Sequence, residues 1–255
     1  MAVEAPTVGF SQRYWEDAIA RVRGTLSEIV SRRRPTMPGR VVPSDSLAIG
    51  TGRQLSLAVA FIDICGFSRI QCSTPGEQEA VLATLNLFLT EAISIATDYG
   101  GTVEKNTGDG LMAYYPAQEL GSEVAACRAA VEASLTLFYV TDNLINPILV
   151  NSRLRPILFR VGIDFGTVTV ANMGASRRFK GIMAIGTVAS VAAKMLDAAG
   201  PSQILVGGCV PPRLPPGWQL FCKLHQLSTS FVWYGTNVPY PYYQYTGRWK
   251  GPHYG

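Results

Sequence analysis

The sequence predicts an α+β fold in which one sheet is covered by helices, and two patterns support this prediction. Short apolar runs of strand length alternate with longer stretches in which apolar residues recur every three or four positions. Over residues 54–210 these patterns follow the order strand, helix, strand, strand, helix, strand, which describes a ferredoxin-like split βαβ sheet with additions. The length of 255 residues and the 47% hydrophobic content allow one sizeable core.

The first half of this core is marked by turn and capping residues. The apolar run 55–62 predicts a buried strand. Thr74-Pro75-Gly76-Glu77 has the form of a capping box with proline at the first helical position, and Gly100-Gly101 ends the same apolar pattern, so one helix is expected between them. A hairpin of strands at 102–105 and 110–115 should follow, and then a helix from about Ser122 to Tyr139.

The second half is predicted to start with a loop at 141–156. We then expect two strands joined by a turn, a short strand, a helix and a last strand, at residues 157–166, 167–171, 182–185, 188–199 and 203–206.

The two ends of the chain are predicted to extend this core. Residues 1–53 form an N-terminal part, in which apolar residues spaced three or four apart predict a helix at 12–31, followed by a Pro-, Gly- and Ser-rich linker. Residues 211–255 form a C-terminal extension of the same domain, whose tyrosines, tryptophans and turn residues predict extra β-hairpins.

Composition excludes several classes of protein. No uninterrupted apolar stretch has the length of a membrane helix and no signal peptide is recognisable, so we expect a cytoplasmic protein without membrane contact. The five cysteines are scattered without metal-type spacing, which favours reduced thiols. The net charge of +4 suits an anionic small ligand, and no interleaving of basic and aromatic residues indicates nucleic-acid binding.

Two acids stand out at predicted strand ends. Asp63 closes the first apolar run, where a carboxylate is costly unless it is paired or binds a cation. Asp109 lies in the Thr-Gly-Asp-Gly turn of the hairpin. If the two strands are neighbours, both carboxylates lie at one edge of the sheet, and two converging carboxylates suit two divalent cations and triphosphate chemistry. Each acid alone has a simpler interpretation as a turn or cap residue.

The chain resembles the class III nucleotidyl cyclases. The matching blocks are Phe-x-Asp-Ile-x-Gly-Phe-Ser at 61–68, Gly-Gly-x-Val-x-Lys-x-x-Gly-Asp-Gly at 100–110 and Gly-Ile-Asp-Phe-Gly at 162–166, with a weaker match at 185–195. The resemblance spans roughly residues 55–206.

The resemblance implies a metal-dependent cyclase. By the family's pattern Asp63 and Asp109 would be catalytic and would bridge two divalent cations, Mn²⁺ or Mg²⁺, with the carbonyl of Ile64 as a further ligand. The amides of the segment Cys65, Gly66 and Phe67 would bind the β and γ phosphates.

The resemblance also implies a homodimer, because class III active sites form between two subunits. The second subunit would contribute Lys194 to the transition state and Ser190 to the ribose, where the family has Arg and Asn. Lys180 would add a phosphate contact.

Base recognition is where this chain departs from the purine cyclases. Lys105 keeps the position of a base-reading lysine, but Met183 stands where adenylyl cyclases have a hydrogen-bond acceptor, and Phe61 is a candidate wall of the base pocket or ordinary core. A site without that acceptor leaves an exocyclic amine unpaired, whereas uracil presents carbonyls to a lysine.

This pattern is similar to the pyrimidine cyclases of the Pycsar antiphage systems, in which a cyclic nucleotide activates a separate effector. We therefore expect UTP as substrate and cyclic UMP as product. The alternatives are a cytidylate cyclase, then an adenylyl cyclase, and then an inactive nucleotide-binding module.

Overall fold

A computed structural model of the protein describes residues 52–70, 72–106, 110–176 and 179–250, and within residues 68, 104–106, 172–176 and 179–185 it describes the backbone only. The predicted helix at 12–31 lies outside these ranges. The described strands are β1 Gly52–Ile64, β2 Thr102–Asn106, β3 Gly110–Pro116, β4 Phe159–Ser176, β5 Phe179–Ile185, β6 Ile204–Gly207, β7 Cys222–Val232 and β8 Pro239–Tyr245. The described α-helices are α1 Pro75–Asp98, α2 Ala117–Leu120, α3 Glu123–Val140, α4 Asn146–Asn151, α5 Thr187–Ala198 and α6 Pro216–Gln219.

The strands form one sheet in the order β2-β3-β1-β4-β6-β8-β7, with β5 paired to the outer half of β4. β1 is antiparallel to both β3 and β4. The order β2-β3-β1-β4 is that of a split βαβ unit, so the predicted fold is confirmed. The predicted C-terminal hairpin is β7 and β8, and it joins the sheet because β8 pairs with β6.

β1 lies between two apolar layers. Ala58, Ala60 and Ile62 belong to the layer that α1 and α3 cover, whereas Leu57 and Val59 belong to the layer that α5 covers. Alternate residues of a strand point to opposite faces, and here both faces are buried. A charged side chain is therefore tolerated only near the ends of this strand.

The predicted capping box begins α1. The Glu77 amide donates to Thr74 Oγ1 (3.3 Å) and the Thr74 amide donates to Glu77 Oε2 (2.9 Å). The helix ends before Gly100, whose φ is +75°. Local sequence alone sets both ends of this helix.

The predicted loop at 141–156 is wrong in its first two thirds. A π-helical turn at Thr141–Ile145 continues α3 directly into α4. Ile145 and Leu149 are four residues apart and both are buried, so a helical path is stabilised by the core. Pro147 is the second residue of α4 and follows the π-helical turn, where the hydrogen-bond pattern of the helix is already irregular.

The predicted turn between 157–166 and 167–171 is also wrong, since β4 runs unbroken for 18 residues. Gly166 pairs with Leu57 of β1 inside the sheet. A Cβ built on Gly166 would lie 2.8 Å from a methyl of Val188. The glycine therefore makes room for α5 and does not form a turn.

Two helical stretches of the described chain, Pro75–Asp98 and Glu123–Asn151, are long and apolar enough to cross a membrane by length and composition. Charged residues interrupt both stretches, so neither is the uninterrupted apolar run that the sequence expectation concerned. The second stretch is mostly buried within the fold, while α1 buries chiefly Phe88, Leu89, Ala92, Ile95 and Ala96. This is weak evidence for a membrane, because core helices meet the same criteria.

The close approach of α5 to the sheet gives a first testable prediction. A Cβ on Gly162 of β4 would overlap the carbonyl oxygen of Ala192, so Gly162→Ala should lower the free energy of unfolding by about 1–3 kcal/mol through overpacking. The matched control is Gly76→Ala in α1, where a Cβ meets nothing within 4 Å. Urea unfolding followed by circular dichroism measures both. Equal stability of Gly162→Ala and wild type would contradict the tight packing of α5.

Candidate active site

Asp63 lies at the end of the central strand β1, beside its two neighbours β3 and β4. It is the penultimate residue of β1, and its register partners are Gly110 on β3 and Arg160 on β4. The Asp63 side chain is 23% exposed. It is therefore at the border of the core, reachable from solvent but partly shielded from it.

The Asp63 carboxylate is held by Arg160. Arg160 Nη2 lies 2.7 Å and Nε lies 2.9 Å from Asp63 Oδ2. Arg160 Nη1 also donates to the carbonyl oxygen of Ala199, just beyond α5, at 3.3 Å. One guanidinium group therefore connects β1, β4 and the end of α5.

The sequence analysis missed Arg160. A signal was present, because an arginine between Phe159 and Val161 is unusual in an apolar strand. Its role, however, requires knowing that β1 and β4 are neighbours, since the two partners are 97 positions apart in the chain.

The predicted second metal ligand, Asp109, lies outside the described residues. Its covalent neighbour Gly110 begins β3 and is the register partner of Asp63. The expectation that the hairpin and the first strand are neighbours is therefore confirmed at the level of the strands.

The donor set at this edge is compatible with divalent cations. A single oxygen of the Asp63 carboxylate, Oδ2, accepts both hydrogen bonds from Arg160. Carboxylate and carbonyl oxygens are the ligands that Mg²⁺ and Mn²⁺ prefer. The described residues include no group of three or more His, Cys, Asp or Glu side chains that could hold a metal. Such a site would rest on Asp63, the Ile64 carbonyl and the undescribed Asp109.

The segment after β1 has the geometry of an anion-binding loop, with one correction. The Cys65 amide donates to the carbonyl oxygen of Leu158 (2.7 Å), so it is not available to a phosphate as predicted. Gly66 is left-handed, with φ +72°, and a 3₁₀ turn follows at Phe67–Arg69. In the described part of the chain the amides of Gly66 and Phe67 have no acceptor, and successive free amides in such a turn form a nest for anions.

All five cysteines are free, as the sequence indicated. Burial raises the pKa of the Cys65 thiol, although the nearby Arg160 opposes the shift. The thiol next to Asp63 therefore stays protonated and is not an activated nucleophile.

Ser190 and Lys194 lie on the outer face of α5 and both are exposed. Lys194 Nζ lies 2.8 Å from Asp197 Oδ2, and this hydrogen bond raises the pKa of Lys194. Within the described chain no hydrogen bond or ion pair joins Lys194 to Asp63. One chain alone therefore does not bring these predicted site residues together.

The predicted base-reading residues are placed only in part. Phe61 is partly buried against the apolar layer beneath α5. Lys105 in β2 is the register partner of Met112, next to a bulge, and Met183 in β5 is the partner of Ala171. The backbone of Lys180 lies in β5. The side chains of these three residues are outside the described part, so their roles stay predictions.

A second acid, Asp164, lies inside the fold and was not singled out by the sequence analysis. It is only 2% exposed. Tyr240 Oη donates to Asp164 Oδ1 (2.7 Å) and accepts from the Cys209 amide (2.8 Å). Burial raises the pKa of Asp164 to about 7. The C-terminal hairpin therefore provides the hydroxyl that a buried carboxyl of the central sheet requires.

The fold and the strand-end site define a nucleotidyl cyclase catalytic domain. The family model described as the adenylate and guanylate cyclase catalytic domain matches residues 51–222. The chain belongs to this family, whose enzymes are lyases that make cyclic nucleotides.

Curated relatives match over a shorter region. Uncharacterised proteins of Mycobacterium bovis and Mycobacterium tuberculosis are 28% identical over 157 residues, which is 60% of this chain and 25% of each relative. The chain thus matches about a quarter of the length of these relatives.

Solved structures share the fold. The adenylyl cyclase CyaB from P. aeruginosa has a TM-score of 0.65 at 24% identity, covering 78% of this chain and 97% of that chain. The guanylyl cyclase Cya2 has a TM-score of 0.61 at 20% identity, covering 78% and 95%. The guanylate cyclase domain of RhGC from Catenaria anguillulae, solved with GTP, has a TM-score of 0.59 at 20% identity, covering 77% and 99%.

The buried Asp164 predicts a pH dependence of stability. Its pKa is about 7 in the folded chain against an ordinary value of 3.8, so between these values the folded state binds one more proton than the unfolded state. Stability should fall by up to about 1.4 kcal/mol for each pH unit as pH rises from about 4 to 7. Asp164→Asn, which keeps an acceptor for Tyr240, should remove this slope.

Urea unfolding at pH 5 and pH 7.5 measures the slope in wild type, in Asp164→Asn and in a control, Asp98→Asn, on the exposed end of α1. The control should keep the wild-type slope. If Asp164→Asn also kept it, the buried carboxyl would not be its source.

Proposed function

We propose that the protein is a pyrimidine nucleotide cyclase that converts UTP into 3′,5′-cyclic UMP and pyrophosphate. The cyclase activity is supported by the position of Asp63, at the end of β1 in a fold that matches the family. Asp63 lies beside the first residue of β3 and contacts Arg160. The choice of UTP rests on the sequence, through Lys105 and Met183.

In this proposal Asp63, Asp109 and the Ile64 carbonyl hold two divalent cations, Mn²⁺ or Mg²⁺. Bound there, the cations would lower the pKa of the attacking ribose 3′-hydroxyl and neutralise charge on the triphosphate. Asp63 supports this role because it stands at the solvent-reachable edge of three strands, where its carboxylate already accepts from a positive group.

Arg160 and the loop after β1 bind the triphosphate. The Arg160 guanidinium pairs with Asp63 through a single oxygen, and its remaining donors suit a phosphate that arrives beside the same carboxylate. The amides of Gly66 and Phe67 hold the β and γ phosphates. Together these groups orient the α-phosphate for in-line attack and keep the departing pyrophosphate charge-balanced.

The protein acts as a homodimer with two sites related by a two-fold axis. Ser190 contacts the ribose, and Lys194 gives up its pairing with Asp197 to reach the α-phosphate of the site in the other subunit. Their exposure on α5 supports this arrangement, as does the pairing of Lys194 with Asp197 and not with Asp63 in the described chain.

Uracil is selected by what the base pocket lacks. Lys105 donates to a carbonyl of the base, Phe61 forms a wall, and Met183 offers no acceptor to an exocyclic amine. A base whose amine stays unpaired loses affinity through the cost of desolvating that donor. Cytosine and adenine both carry such an amine; a cytidylate cyclase is the second candidate and an adenylyl cyclase the third.

The physiological part of the proposal follows the resemblance to the Pycsar cyclases. Cyclic UMP acts in the cytoplasm as a second messenger in antiphage defence and activates a separate effector. Neither nucleic acid nor a membrane is required for catalysis.

The substrate is tested with purified protein, Mn²⁺ and each of ATP, GTP, CTP and UTP in turn, with mass spectrometry of the product. Cyclic UMP is expected as the main product. Asp63→Asn should reduce its formation by at least about 100-fold, because several kcal/mol of charge stabilisation is lost, whereas Asp98→Asn should not. Cyclic CMP or cyclic AMP as main product would contradict the assignment of the base, and no product from any nucleotide would favour a binding module.

The dimer is tested by mixing two inactive variants. Asp63→Asn and Lys194→Ala subunits damage different halves of each site, so a mixed dimer keeps one intact site of two. Co-expression should restore about a quarter of wild-type activity, since random pairing makes half of the dimers mixed. Full activity of Lys194→Ala alone, or a monomer by light scattering with full activity, would contradict the shared site.

A further inference from the structure

A cavity of about 480 Å³ lies beside the end of β1, on the opposite face of the sheet from the Asp63 side chain. Ile64, which lines it, belongs to the apolar layer under α1, whereas the neighbouring Asp63 points to the other face. Neither Asp63 nor Arg160 lines the cavity. Its walls come from the β1 end and the segment 65–70 that follows it, from the first half of α1 and from the segment 153–158 that leads into β4.

The described residues that line this cavity carry a positive net charge. Arg69, Arg153 and Arg155 line it, and in the described part of the chain none of them has a hydrogen-bonded or ion-paired acid. Glu77 is the single acid among the described lining residues. Its carboxylate accepts from the amides of Ser73 and Thr74 in the α1 cap and is already engaged.

The rest of the lining is largely apolar. Val81, Leu154 and Phe67 are partly buried, and Ile64 and Ile157 are buried. A ligand that fits both the arginines and the apolar lining needs an anionic group and a compact apolar or aromatic body. Three guanidinium groups offer more donors and charge than one carboxylate can use, whereas a phosphate monoester presents two charges and three terminal oxygens.

We propose that this cavity is a binding site for a small phosphate monoester with an apolar or aromatic body, on the face of the sheet opposite the Asp63 side chain and sharing only the segment 65–67 with the proposed nucleotide site. The arginines bind the phosphate and the apolar lining covers the body. This binding does not depend on the proposed cyclase activity.

The cavity is mechanically connected to the proposed triphosphate loop. The Cys65 amide donates to the Leu158 carbonyl (2.7 Å), which joins two walls of the cavity. Gly66 and Phe67, whose free amides face the triphosphate in the proposed function, follow directly and also line the cavity. A bound phosphate ester therefore contacts the segment that positions the nucleotide in the proposed function.

Isothermal titration calorimetry of the full chain with phenyl phosphate tests the proposal. We expect saturable binding, with inorganic phosphate at least about tenfold weaker because it lacks the body. Arg153→Ala combined with Arg155→Ala should weaken phenyl phosphate by at least about tenfold, since charged hydrogen bonds are lost. Both arginines are exposed and have no ion pair within the described part of the chain, so this variant should fold. The control, Arg128→Ala, removes an exposed arginine of α3 that pairs with Glu132 instead and should bind as wild type.

Three outcomes would overturn the proposal. The first is no saturable binding of phenyl phosphate at about 10 mM. The second is inorganic phosphate binding as tightly as phenyl phosphate. The third is loss of binding in Arg160→Ala together with full binding in the Arg153 and Arg155 double variant, which would place the ligand at the nucleotide site.

Discussion

The ion pair between Asp63 and Arg160 connects the parts of the structure on which the site depends. It lies at the end of β1, bridges to β4 and, through the Ala199 carbonyl, reaches the end of α5. Both partners are only partly exposed, so removing either one leaves a charge in a shielded position without compensation. The pair therefore constrains three elements at the place where substrate is proposed to bind.

The local features of the fold were predictable because nearby residues cause them. The capping box at Thr74 and Glu77 needs only four consecutive positions, and the apolar run before Asp63 needs only a strand. The order β2-β3-β1-β4 followed from the sequence of elements. The predicted strand-end and turn positions marked Asp63 and Asp109 as candidates, and the family motifs then assigned both to a metal site.

The missed features depend on contacts between distant parts of the chain. Gly166 has the appearance of a turn residue until Val188 of α5 is placed against it. Ile145 and Leu149 extend a helix only because the core accepts them. Arg160 gains its partner, and Asp164 gains Tyr240, from strands that are close in the sheet but far apart in the sequence. Each of these features depends on contacts between residues that are far apart in the sequence, and a local sequence pattern does not predict such contacts.

The absence of side chains on Gly162 and Gly166 has a mechanical consequence. The backbone of α5 packs directly on β4 at Gly162, and the Val188 side chain packs on the backbone of β4 at Gly166. The helix and the centre of the sheet therefore behave as one stiff unit. In a two-fold dimer, a rotation of one subunit would move its strand ends and its helix α5 together. The exposed face of α5 would carry this movement to the site of the other subunit.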